Sequence, residues 1–462
     1  MTALIWVISI VLATLPAQAI AAGVDAAPQG LRWGLPFAGL LVSIAVCPLV
    51  APRFWHHRMG LVAAVWSLAL IVPLTILQGA GPAAQTVWHA VLIEYLPFVM
   101  LLLALFTAGG GILMQGGPWG TPAGNTLLLA IGTALAGVMG TTGVSMVLIH
   151  PLLRANAHRR SRVHLVVFFI LLCANAGGAT TPLGDPPLYI GFLRGVPFFW
   201  PMQALLLPLL LLASILLGVF YLYDRHLAGK EAPAPAATRL RITGTANIGL
   251  IAIVVACVLM QGVWHPGLMN VFGQPIEIER VVGMIVFGLI TALSLTLTPK
   301  PVRQGNLFSW EPMAEVGKLF AAIFITIGPV LTMLAAGREG PLAAVLALTT
   351  DAKGAPSPLA YFWIAGLLSA FLDNAPTYLV FFQMAGDDAA RLTGELSPVL
   401  TALSAGAVFF GAVTYIGNAP NMMLRAIAGH RGIRMPGFFA YIGWSALLLG
   451  PIFVLLTLVF FH

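Results

Sequence analysis

The chain has 462 residues, of which 59% are apolar and 8% charged, and its mean hydropathy is +0.96. A soluble domain carries roughly 25% charged residues, so fifteen acids and twenty-two bases are too few to cover a water-soluble protein of this length. A cytosolic enzyme, a disordered chain and a nucleic-acid binder are excluded, and the net charge of +7 is to be read by position, as a topology signal. Cys47, Cys173 and Cys257 sit in apolar runs, so no disulfide framework is implied. At about 20 residues per crossing, the expected class is an all-α polytopic membrane protein.

In chain order, Leu4 to Leu15 is a short apolar run. Ala17-Gln18-Ala19 then offers an A-x-A cleavage site, and a polar stretch runs to Gly30. Residues 1–22 read as a secretory signal peptide; the basic n-region is missing, and a retained first helix is the alternative. Apolar segments follow at 35–51, 60–77, 91–112, 125–153, 163–198, 203–223, 246–262, 281–298, 317–336, 358–386, 399–428 and 437–461. Four of these, 125–153, 163–198, 358–386 and 399–428, are too long for one span. Each is interrupted: by Gly140-Thr141-Thr142-Gly143, by Asn175-Ala176-Gly177-Gly178 through Pro186-Pro187, by Asp373-Asn374-Ala375-Pro376, and by Gly417-Asn418-Ala419-Pro420-Asn421.

Basic residues choose between single crossings and hairpins. If every segment crosses once, the loop with Arg154, Arg159, Arg160 and Arg162 falls opposite the basic loop Arg53–Arg58. If 125–153 and 358–386 each enter and leave on one side, sixteen Lys and Arg fall inside against six outside, as the positive-inside rule demands. The outer six are Arg32, Arg194, Arg280, Arg338, Lys353 and Arg391. Two re-entrant hairpins follow. The first has its tip at Gly140–Gly143 and opens to the cytoplasm; the second has its tip at Asp373–Thr377 and opens outside. The mature N-terminus and the C-terminus are both expected outside a bacterial inner membrane.

Each half then has one order: three spans, a hairpin, a broken helix and a closing span. The first repeat covers 34–225, with scaffold spans over 35–112 and a transport part over 125–223. The second covers 246–462, with scaffold spans over 246–336 and a transport part over 358–461. A solvated cytoplasmic linker is expected over 226–245, rich in Pro, Ala and basic residues. The halves start on opposite sides, so the pattern is an inverted-topology repeat, the arrangement of a secondary transporter.

Irregular backbone in lipid leaves N–H and C=O groups unpaired, at several kcal/mol each, unless protein or a wet cavity satisfies them. Four breaks at membrane depth therefore mark a site. Their side chains are rich in oxygen: Thr141, Thr142, Ser145, Asn175, Thr180, Thr181, Asp185, Asp373, Asn374, Thr377, Asn418 and Asn421. Hard cations such as Na+ take oxygen ligands. No transition metal is indicated, because His and Cys are absent from the breaks apart from Cys173 beside one. Asp185 and Asp373 are the two carboxylates, and a carboxylate at a helix centre costs about 2.5–3.5 kcal/mol on insertion scales. A carboxylate that binds either a cation or a proton is the simplest basis for antiport, so these two are the proton-coupling candidates. The alternative for each is a plain helix N-cap. His150 reads as a structural hydrogen-bond former, Glu94 as interfacial, and Arg194 and Arg425 as snorkelling residues that are also candidates for holding an anion.

At these residues the chain resembles a known group. Asn175-Ala-Gly-Gly-Ala-Thr-Thr-Pro-Leu-Gly-Asp185 resembles the broken-helix motif of NhaD-type sodium/proton antiporters. Leu372-Asp373-Asn374-Ala-Pro-Thr377 resembles their second hairpin tip, and Gly417-Asn418-Ala-Pro-Asn421 their second broken helix. Pro36 to Arg58 is similar to CitMHS-like citrate transporters of the same ion transporter superfamily. The resemblance implies a homodimer in which a mobile transport domain moves like an elevator against a fixed scaffold. It further implies one cation site at Asn175, Thr180, Thr181 and Asp185 with the first tip, and an inverted twin at Asp373, Asn374, Thr377, Asn418 and Asn421. The first tip lacks the Asp-Asn pair of the second, so the two sites are not chemically equal.

The leading expectation is a sodium/proton antiporter with no bound cofactor, only transported Na+ and H+. The alternative is a cation-coupled carrier of citrate or another di- or tricarboxylate. An intramembrane enzyme is the remote third reading: no nucleophile–base pair, H-E-x-x-H or G-x-x-x-x-G-K-[ST] motif is present.

Overall fold

The computed structural model describes residues 30–231, 238–271, 273–351 and 354–461. The leader expected over 1–22 and the outer Lys353 lie outside the described residues. Among the described residues nine helices are long and apolar enough to cross a membrane, and the chain is a multi-pass helical membrane protein. In chain order the helices are α1 (Leu35–Val50), α2 (Pro52–Gln78), α3 (Ala80–Gly110), α4 (Pro122–Met139), α5 (Thr141–Ala155), α6 (Val163–Leu172), α7 (Pro186–Leu193) and α8 (Trp200–Ala228). They continue with α9 (Ala246–Gln261), α10 (Ile278–Leu297), α11 (Glu311–Ala335), α12 (Pro358–Leu372), α13 (Asn374–Met384), α14 (Ser397–Phe410), α15 (Ala419–His430) and α16 (Phe438–Phe460).

All four expected interruptions fall between helices. The pair α4/α5 breaks at Gly140, α6/α7 over 173–185, α12/α13 at Asp373 and α14/α15 over 411–418. Local chemistry starts the two hairpins alike: Thr121 and Ser357 each accept a hydrogen bond from the backbone N–H three residues on, with Pro at the next position.

The contacts that hold the breaks recur at one spacing. Thr181 Oγ1 donates to the Gly137 carbonyl and Thr414 Oγ1 to the Ala370 carbonyl, each across 44 residues. The same two hydroxyl oxygens accept from Leu183 N and Ile416 N, both at 3.1 Å. Every member of the second set stands 233 residues after its counterpart, the separation also found between Asp185 and Asn418. Both breaks fold back so tightly that only glycine fits. A Cβ on Gly184 would lie 2.1 Å from the Gly178 carbonyl oxygen, and one on Gly417 would lie 2.7 Å from that of Gly411.

The solvated linker expected over 226–245 contains regular structure. Thr238–Thr243 forms a strand, β2, that pairs antiparallel with β1 (Leu113–Gly117), and Leu113 faces Thr243. A second ribbon joins β3 (Leu268–Val271) to β4 (Gln274–Glu277). Both are short, and β2 is largely exposed. Their backbone partners lie on distant or tightly turned chain, so hydropathy carries no trace of them.

One face of the bundle gathers Arg154, Arg159, Arg239, Arg241 and Arg303. There a buried polar cluster fastens α4, α5, α6 and α8 together. Arg159 Nη1 lies 2.5 Å from Asp224 Oδ1, with side-chain exposures of 1% and 0%. His164 Nε2 approaches the same oxygen at 2.8 Å, and Asn125 Nδ2 donates to Asp224 Oδ2 at 3.0 Å. Removing one member of a buried ion pair strands the other, at about 3–5 kcal/mol. Arg159→Ala is therefore expected to lower the detergent-solubilised melting temperature sharply, and Arg159→Ala/Asp224→Asn to recover part of the loss; thermal unfolding of the two purified variants checks this.

Candidate functional site

Four helices begin at one place. Helix α5 starts behind Gly140, α7 behind Asp185, α13 behind Asp373 and α15 behind Asn418. A cavity of about 60 Å³ is lined by Gly140–Gly143, Gly184–Pro186, Asp373 and Asn418–Pro420, with Leu105, Met139, Met313 and Phe320 as apolar wall. Its lining contains no Lys, Arg or His. Helix N-termini carry a partial positive charge and unpaired N–H groups, which offsets part of the cost of holding carboxylates at this depth.

Asp185 is 2% exposed and its oxygens are held by side chains from both halves. Oδ1 accepts from Asn418 Nδ2 at 3.0 Å and from Thr141 Oγ1 at 3.4 Å; Oδ2 accepts from Asn374 Nδ2. Although Asp185 precedes α7, its carboxylate makes no cap hydrogen bond. The N-cap alternative therefore does not hold for this residue. Asn418 Nδ2 also reaches Asn175 Oδ1 at 3.2 Å, and Asn175 Nδ2 donates to Asn421 Oδ1 at 2.8 Å. Asn421 in turn donates to the carbonyls of Gly411 and Thr414 at 2.8 and 2.9 Å. This chain of amides crosses from the first broken helix to the second.

Asp373 behaves differently. Its Oδ1 accepts from Asn374 N at 2.7 Å, so it does cap α13, and Thr377 Oγ1 donates to its carbonyl at 2.9 Å. Its backbone, at φ 76° and ψ 147°, matches Gly140 at φ 77° and ψ 151°. That region is essentially reserved for glycine and costs another residue about 1–3 kcal/mol. The strain places a carboxylate in the cavity wall at a position where glycine would suit the fold better.

The expected residues thus divide. Thr141, Asn175, Asp185, Asn374, Asn418 and Asn421 form one connected network, and Thr142 and Asp373 line the cavity beside it. Ser145 Oγ and Asn374 Oδ1 belong to fully buried residues and have no hydrogen-bond partner among the described residues. Thr181 and Thr377 are bonded to hairpin backbone, and Thr180 packs against Gly137. Thr414, the counterpart of Thr181, was not among the expected residues; the spacing between the halves is the signal that points to it. The apolar wall was also missed, because Met139, Met313 and Phe320 look like any other span residues. A second cavity, of about 320 Å³, shares Phe320, Asp373, Asn418 and Ala419 with the first and runs past Met59, Trp55 and His56.

His150 has the structural role expected of it, with Nε2 2.9 Å from the Asn306 carbonyl oxygen. Arg194 and Glu94 pair with each other at 3.2 Å, and Arg194 also meets Asp387 at 2.6 Å. Arg194 is thus held by two carboxylates. Arg425 stacks 4.7 Å from the Tyr415 ring centroid. Neither arginine lines the first cavity.

Because Asp373 strains the backbone, Asp373→Gly is expected to raise unfolding stability by roughly 1 kcal/mol while stripping the cavity of a carboxylate. Thermal unfolding in detergent beside a transport assay checks both halves of that outcome.

A search of curated proteins finds no match for this chain. A family model does match, over residues 26–461, and its printed description is "Putative citrate transport". The match spans the four breaks, both cavities and every helix described above. The chain belongs to this citrate-transport family of membrane transporters.

Proposed function

We propose that the protein is a secondary transporter exchanging Na+ for H+ at the meeting point of the four breaks. The observation that carries this reading is that two carboxylates, Asp185 bonded by carboxamide and hydroxyl groups and Asp373 beside it, share a cavity without a basic side chain. In the hydrogen-bonded state, the amide nitrogens of Asn374 and Asn418 face Asp185. Rotation of either carboxamide turns its oxygen toward the carboxylate and completes an oxygen shell for a cation. Asn374 Oδ1 and Ser145 Oγ, unpartnered at rest, are available to it. Protonation of a carboxylate removes the charge the cation needs, and so the two ligands compete.

In this reading the 233-residue recurrence is an inverted-topology repeat. Helices α1–α3 and α9–α11 form the scaffold, and α4–α8 and α12–α16 form the moving part, in a homodimer working as an elevator. The chain lies in the bacterial inner membrane with its basic face toward the cytoplasm and its C-terminus outside. The second cavity reaches toward that basic face. On the other face, the Arg194 pairs to Glu94 and Asp387 close the contact between scaffold and moving part. The arrangement fits an inward-facing state.

A second reading has its own support. The family description names citrate, and four helix N-termini converging on one cavity favour an anionic ligand. The discriminating experiment uses everted vesicles with a preformed pH gradient. Added Na+ is expected to collapse the gradient, and Asp373→Asn or Asp185→Asn to abolish the response. A gradient indifferent to Na+, together with citrate uptake, would replace antiport by carboxylate transport. Varying the membrane potential then gives the charge moved, since each 100 mV is worth about 2.3 kcal/mol per charge.

A further inference from the structure

We infer that Glu315 is a further residue of the ion path: the carboxylate of a cation-gathering vestibule that leads from the basic face to Asp373. This rests on the sodium reading above and adds to it a residue that neither the sequence pattern nor the family match assigns.

The argument begins from position. Glu315 lies on α11, one turn beyond Glu311 and on the same helix face. It lines the second cavity together with Trp55 and His56 of α2, and with Asp373 and Asn418 of the two second-half breaks. At the mouth, His56 Nε2 sits 3.1 Å from Glu311 Oε1, and their side chains are 59% and 61% exposed. Inward of that pair, Glu315 is half-buried and shares the cavity wall with Trp55. The cavity, with about 320 Å³ of free space, holds several waters, since one needs about 10–15 Å³ of such space. The adjoining space, about 60 Å³, is the smaller of the two. An ion entering from the mouth therefore passes Glu315 before it reaches Asp373.

The charges around Glu315 support a cation rather than an anion. His56, Glu311, Lys318 and Asp373 are the charged or titratable groups that bear on it. Lys318 lies along Gly60 on the neighbouring helix and is exposed, outside the cavity lining. Inside that lining the acidic groups are Glu315 and Asp373, and the basic candidate is His56, already engaged by Glu311. Arg425 stacks on Tyr415 of the lining but is not itself part of it. A cleft whose own lining is acidic, between low-dielectric walls, raises the local concentration of cations. A citrate anion on the same route would be repelled. Because Glu315 is on a scaffold helix, the gathering charge stays at the basic face when the moving part departs.

The test measures the vestibule and transport separately. Met422 lines this cavity and is exposed. Met422→Cys, with half-buried Cys47 replaced by Ala, is labelled in everted vesicles by a trimethylammonium and by a sulfonate methanethiosulfonate of similar size. Native Glu315 is expected to favour the cationic reagent. Glu315→Gln should lower the ratio of the two rates roughly three- to tenfold, and high salt should lower it without any substitution. In the transport assay, Glu315→Gln should raise the half-saturating Na+ by a similar factor at low ionic strength, with the maximal response kept and Glu315→Asp close to the native protein. A labelling ratio indifferent to both Glu315→Gln and salt overturns the vestibule. An unchanged Na+ dependence in a variant whose labelling ratio has moved overturns the role in transport. If the native protein gives no Na+ response although the ratio moves, the antiport reading falls and the cation-selective vestibule stands.

Discussion

A carboxylate shut away from water has to find its hydrogen bonds in protein, and the centre of this molecule is organised around that requirement. Asp185 takes its donors from Thr141 on the first hairpin, Asn374 on the second hairpin and Asn418 at the second broken helix. Three elements far apart in the chain are therefore tied to one side chain. Leaving such a group unpaired costs on the order of several kcal/mol. These bonds hold the four breaks together. In the antiport reading proposed above, a cation or a proton changes that balance directly, which is how a local chemical event can acquire a global consequence.

The two halves share a skeleton and differ in chemistry. Thr181 and Thr414 satisfy hairpin carbonyls in the same way, and Gly184 and Gly417 permit the same close fold. At the positions that face the cavity the halves diverge: Asp185 stands opposite Asn418, and Asp373 has Gly140 as its counterpart. Backbone satisfaction is a demand of the bilayer and applies equally to both halves. Ligand chemistry has no such demand, and one carboxylate per half, at non-equivalent positions, puts both negative charges on the same cavity. Asp373 holds its place despite a backbone conformation suited to glycine, the pattern expected where a site retains strain for use.

The periphery shows how such a centre is framed. The Arg159–Asp224 cluster locks the ends of α4, α5, α6 and α8 into one block at the basic face. Arg194 and Arg280 bridge segments at the opposite face; Arg280 donates to the Leu193 carbonyl at 2.7 Å, at the end of α7. The first cluster is buried and the second set is partly exposed. In the elevator reading proposed above, the first joins parts that stay together and the second joins scaffold to moving part; an ion pair near water is readily exchanged and a dry one is not.

Sequence alone determined the hydrophobic class, the spans and the four interruptions. It also picked out the polar residues at those interruptions, because a polar or glycine-rich stretch inside an apolar run has few physical explanations. The positive-inside count favours hairpins over crossings on a similar ground: charge on the wrong side is expensive. Tertiary structure alone decided which of those polar residues meet. It placed Thr181 against backbone and Asn418 against Asp185, and it paired Arg194 with Glu94. It also drew β2 out of a stretch that composition marks as linker. These outcomes depend on partners 44 to 233 residues away, and a pairing at that distance leaves no periodicity in the local chain. Hydropathy records what a residue costs in lipid; only the folded geometry says which neighbour offsets that cost.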